Sequence, residues 1–436
     1  MKDGNGLEIS TNSPEAIEVI NKFGKDLLSM SKGVSDIIGK ADNYPENALI
    51  QSYCACVFLY GQTRETDAEA KKYLVRANST LKHANPREKL FLSAAKSWSE
   101  GKIEEGTQKL EQLVNEWPRD LTSAKVLEFF YYMRGQQYSG PRFLKTMETI
   151  YEDNKDSGYF LSSLSFATEL CGDYNKAGAL AQRAVEIEEI NPWAHHTISH
   201  VLLKKGDIEG GIRILEDYEH IWNESGQAIN CHNNWHLALM YLENLEYENA
   251  LSFLNDQILR EKPYLVIQHL DSVSLLGRIE MAGYEIPVSM WKSISDIAIQ
   301  NSSDCYVPYN SAHYIYALAR AARNEELANS LFKIEESASK KTEHERDVWE
   351  KTGLPLLQAC KSYAIENYSQ SAQILEPVIN NITTVGGSDA QVDLFRQTYL
   401  LSLIKSGEKK KAKIYLDEIS TSVIATPLND YWRSLI

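Results

Sequence analysis

Four glycines, Gly101, Gly135, Gly172 and Gly206, stand 34, 37 and 34 residues apart, and each closes a segment whose apolar residues recur at helical spacing. A period near 34 is that of helix–turn–helix repeats, in which each hairpin buries its apolar face only against its neighbours. The clearest unit reads FLSSLSFATELCGDYNKAGALAQRAVEIEEINP. In it Gly172 ends the first helix, Tyr174 opens the second, and the small residues Ala177, Ala181 and Ala184 let the second helix sit close. This pattern resembles the tetratricopeptide repeat. Looser turns follow at Asp207 with Gly211, Tyr247 with Ala250, Asn324 with Ala328, Tyr368 with Ser371, and Gly407 with Ala412. Strand signals are almost absent. The expectation is an all-α superhelix, a solenoid of roughly nine to ten degenerate TPR-like hairpins forming one domain. Its parts would be an N-terminal arm or capping helix over 1–45, central repeats over 46–385, and a C-terminal capping repeat over 386–436.

Composition narrows the function classes. Apolar residues make up 43% of the chain and charged ones 24%, which is ordinary for a folded protein and excludes disorder. A net charge of −15 argues against a nucleic-acid or anionic-membrane surface, since both need a basic patch. The basic run GEKKKAK at 407–413 reads as a solvated helix start. No apolar run is long enough to span a membrane, and the N-terminal stretch lacks the apolar region of a secretory signal. Six cysteines without a CxxC pair suit a reducing compartment, so the expected location is the cytoplasm.

The histidines carry the chemistry. Two stretches, NPWAHHTISHV and CHNNWHLAL, each hold a pair four residues apart, His196 with His200 and His232 with His236, and His313 follows in YNSAHYIYALARA. Measured from the turn residues, all five fall at groove-facing positions of first helices, together with Trp193, Trp235 and Glu243, whereas His195 falls between helices. Imidazoles at i and i+4 lie on one helix face and can jointly hold one metal ion or one substrate oxygen. No acid lies between the paired histidines, which disfavours the zinc-protease motif. With a carboxylate such as Asp271, the set would suit Zn or Fe; alone, the imidazoles would act as general acid and base. The same faces offer Asn233, Tyr309 and Asn310, whereas a groove for acidic peptide tails would offer Lys and Arg. His269 points elsewhere on its helix, and His83, His220 and His344 read as surface residues.

WAHHTISHV, HNNWHLAL, DSVSLLGR, NSAHYIYALA and GGSDAQVDLF, with GLEISTNSPEA near the N-terminus, occur in one order along the chain. In these motifs the chain resembles the tetratricopeptide repeat protein 38 family. The resemblance implies functional weight for His196, His200, His232, Asn233, Trp235, His236, Asp271, Arg278, His313, Ser388 and Gln391. It also marks Gly277 as a departure, because an aromatic residue is commoner there. The family brings no established reaction. The reading is a ligand pocket, for a small molecule or a transition metal, with His196, His200, His232, His236, His313 and Asp271 as catalytic or metal-ligating groups. Trp193, Asn233, Trp235, Glu243, Arg278, Tyr309, Asn310, Ser388 and Gln391 would line it. The alternative is a scaffold that binds a partner peptide along the groove.

Overall fold

The computed structural model describes residues 1–420 and 425–436. The chain is all-α as expected; among the described residues the only bridges between extended segments are Lys2 with Glu8 and Ser31 with Ser225. The repeat signal is written in the backbone. Residues with positive φ recur at Gln62, Gly101, Gly135, Gly172, Gly206, Leu245, Gly283, Ala322, Glu366 and Gly407, 34 to 44 residues apart. At eight of these turns the next residue's N–H reaches back five residues, as Asp173 does to the Thr168 carbonyl and Arg323 to that of Leu318. This bond satisfies a carbonyl that the end of a helix leaves open, and it turns the chain sharply into the second helix. The looser turns keep the same geometry without glycine, Leu245, Ala322 and Glu366 adopting φ of 61°, 55° and 64°.

The chain divides into two compact units. The first comprises 1–133, 139–197 and 221–229, and the second 134–138, 198–220 and 230–436. In the first, the N-terminal segment forms the helix Pro14–Leu28, which buries Ile17, Ile20, Phe23 and Leu27. The helix Gly158–Leu170 is buried on every side and packs on Tyr174–Ile187. That second helix buries only Ala177, Ala181 and Ala184, the row of small residues expected from the sequence. The second helix contributes only methyl groups to this seam, so a larger side chain at these positions would force the helices apart.

In the second unit the helix Pro308–Arg320 is buried nearly throughout and packs against Leu354–Ala364, Val288–Ala298 and Val266–Met281. The last of these also packs on Asp389–Lys405. The helix Val266–Met281 buries Gln268, His269, Asp271, Ser272, Ser274 and Arg278 alongside its aliphatic residues. Each polar side chain buried on this helix costs free energy unless a specific partner satisfies it.

Candidate functional site

Of the expected site residues, the first unit holds Trp193 and His196. The rings stack at 4.3 Å between centroids, with Phe166 edge-on to both. Lys125, which the sequence reading missed, places its ammonium 3.9 Å from the Trp193 ring centroid and 3.0 Å from Glu128. Burial lowers the Lys125 pKa, against the pull of Glu128. His195 packs between helices as expected, accepting the Trp222 indole N–H at Nδ1.

The second unit gathers most of the rest. The His236 ring lies 4.6 Å from His200 and 4.8 Å from His232, so three imidazoles are in contact. His232 Nδ1 is 2.9 Å from Asp271 Oδ2, and His200 Nδ1 is 3.1 Å from Asp389 Oδ1. The second oxygen of Asp389 is 2.8 Å from Lys204 Nζ. An ionised carboxylate only accepts, so Asp271 fixes His232 as the Nδ1–H tautomer and leaves the lone pair on Nε2. The imidazoles expected on an open groove wall are closed over: His200, His236 and His313 are at most 1% exposed and His232 is 8% exposed.

Burial acts differently on each group. It lowers His236 well below the ordinary imidazole range, with His200 and His232 pushing the same way. It raises the Asp271 carboxyl, against the pull of His232 and Arg278. It also works to raise Asp389, but Lys204 and His200 outweigh it and hold that carboxyl well below its usual range. The centre is thus a neutral imidazole flanked by two Asp–His dyads, with chain segments up to 189 residues apart supplying one of them.

Around this centre the Trp235 ring stacks on His232 and receives the Arg278 guanidinium 5.3 Å from its centroid. His313 donates from Nδ1 to the Tyr309 carbonyl at 2.8 Å, and its ring touches Tyr309 and Phe395 rather than the other imidazoles. Burial lowers its pKa to about 3. Tyr309, Asn233 and Asn310 are buried. Ser388 and Gln391 bond to each other, each side chain accepting the other's backbone N–H, and so cap the helix Asp389–Lys405. Glu243 is half-buried and accepts from the Thr426 hydroxyl at 2.6 Å; burial pushes its pKa up to about 7. Space beside Gly277 is taken by Tyr316 and Leu394. His269 is buried, while His83, His220 and His344 are exposed as expected.

Lys204 and Asp389 are the residues the sequence reading missed here. Lys204 was within reach, being one turn beyond His200 on the same helix face. Asp389 follows a capping serine at a helix start, where an acid is ordinary, and nothing in its neighbours points to His200.

No family model matches the chain. A solved chain from "Structure of Naa15/Naa10 bound to HypK-THB" aligns over 93% of this chain and 62% of its own length, at 12% identity and a TM-score of 0.25. This chain thus spans less than two thirds of that one.

Proposed function

We propose that this helical-repeat protein binds a small polar molecule at the His200–His232–His236 centre of its second unit and acts on it by acid–base chemistry. The resemblance to the tetratricopeptide repeat protein 38 family belongs to the same proposal. The observation that carries it is the pair of Asp–His dyads on either side of a neutral imidazole. Burying two carboxylates and three imidazoles costs free energy that apolar residues in the same helices would not. Such arrangements of perturbed titratable groups concentrate at functional sites. In each dyad the carboxylate orients the ring and stabilises the imidazolium that forms when Nε2 takes a proton, which is the role of the acid in a catalytic Asp–His pair.

A carboxylate on Nδ1 is also the device that orients metal-binding imidazoles, and the donors present suit Zn or Fe. Elemental analysis of protein purified without a histidine tag is therefore the first measurement. A stoichiometric metal that is lost in His232→Ala would change the chemistry from acid–base to metal-assisted. For the acid–base reading, wild-type protein incubated with a metabolite extract should deplete at least one compound by mass spectrometry. His232→Ala and Asp271→Asn should reduce that turnover by 100-fold or more, in line with loss of a general acid–base pair. Their helical circular dichroism should match the wild type. Metal-free protein that behaves like its His232→Ala variant throughout would instead point to a peptide-binding scaffold.

A further inference from the structure

Arg278 is 3% exposed, and among the described residues no carboxylate lies within ion-pair distance of it. Its hydrogen bonds run to two neutral oxygens, the Ser274 hydroxyl and the Ala390 carbonyl, the latter at 2.6 Å. Asp393, Asp271 and Glu243 act on it electrostatically from farther away. The last two have other partners, His232 and Thr426. A buried guanidinium is normally matched by an acid, because a charge removed from water is costly unless it is paired. The face of Trp235 offsets part of that cost.

Two further buried groups interact with the same guanidinium, Trp235 by ring contact and His313 electrostatically. Trp235 is 0% exposed, and among the described residues its Nε1–H has no hydrogen-bond acceptor. His313 Nε2 is likewise buried without a hydrogen-bond partner among the described residues, and it is an acceptor because Nδ1 carries the proton that bonds the Tyr309 carbonyl. Arg278 acts electrostatically on His313. A cation with no carboxylate at ion-pair distance and an unpaired N–H donor on the ring it faces are two groups that one ligand can complete.

We infer that Arg278 is the anchor for an oxyanion group, carboxylate or phosphate, on the ligand of this site, with Trp235 Nε1–H as a second donor to it. Guanidinium presents its N–H groups in a fork that matches the two oxygens of such a group. This inference rests on the site proposed above but not on its chemistry.

Isothermal calorimetry of the full chain with inorganic phosphate and with acetate, at matched ionic strength, tests it and tells the two oxyanions apart. The expected result is saturable binding of at least one of them, weakened at least tenfold in Arg278→Gln, which keeps a donor for the Ala390 carbonyl. Trp235→Phe removes an N–H that bonds nothing among the described residues, so it should weaken binding severalfold. No saturable binding of either anion, or affinity unchanged in Arg278→Gln, would overturn the inference. Should Arg278→Gln fail to fold, unchanged affinity in Trp235→Phe overturns it equally. Anion binding without dyad-dependent turnover would sink only the acid–base reading, and the reverse result only this one.

Discussion

At the scale of single residues, buried polarity here is of two kinds. Gln268 caps its own helix through Oε1 while its amide donates to the Ile258 carbonyl at 2.7 Å, so this side chain is satisfied locally. His269 is different: it is buried, and among the described residues neither ring nitrogen has a hydrogen-bond partner. Burial lowers its pKa to about 4 from an ordinary 6.5. Because the folded-state value lies below the unfolded one, the unfolded chain takes up the proton first as pH falls. Stability from this residue is therefore full above pH 6.5 and is lost as pH drops from 6.5 toward 4. At pH 5 the loss is about 2 kcal/mol. His269→Leu should be at least as stable as wild type at pH 7, since it removes two unsatisfied polar atoms. Its advantage in urea unfolding should then widen by about 2 kcal/mol at pH 5. An advantage that does not change with pH would show that His269 is protonated in the folded protein.

At the scale of elements, the hairpin turn was only partly legible. Glycine marks the left-handed position at Gly101, Gly172 and Gly206, where its spacing could be read. Leu245, Ala322 and Glu366 hold the same conformation, hidden because the bond back to the preceding helix enforces it against the side chain's preference. Ala322 is exposed at φ 55°, so its methyl group pays the left-handed strain without burying itself. Ala322→Gly should raise stability by about 1 kcal/mol, the strain relieved less the greater entropy of glycine in the unfolded chain. Gly172→Ala should lower it by a similar amount, and through the dihedral alone, since an added Cβ at φ 87° would meet nothing within 4 Å. Urea midpoints for the two variants check both signs. A neutral Gly172→Ala would mean that the turn relaxes into another conformation.

At the scale of the whole molecule, the sequence showed which helices carry imidazoles but not what those imidazoles bond. Helical spacing places His232 and His236 on one face, whereas the Asp271 and Asp389 that hold His232 and His200 come from helices whose approach depends on packing between distant hairpins. Local periodicity has no access to that packing. The same repeat logic predicts how stability is shared. Where each hairpin leans chiefly on its neighbours, a weakened turn should loosen its own hairpin first and distant ones last. In the first unit, Tyr174–Ile187 packs on Gly158–Leu170, while Ala48–Leu59 packs on Arg64–Ser79 and Pro86–Ser99. Hydrogen exchange of Gly172→Ala should therefore speed up in Gly158–Leu170 and Tyr174–Ile187. Amides of Ala48–Leu59 should stay at the wild-type rate. Equal acceleration in all three helices would show that the first unit opens as a single cooperative core, and that the 34-residue period governs its geometry without dividing its stability.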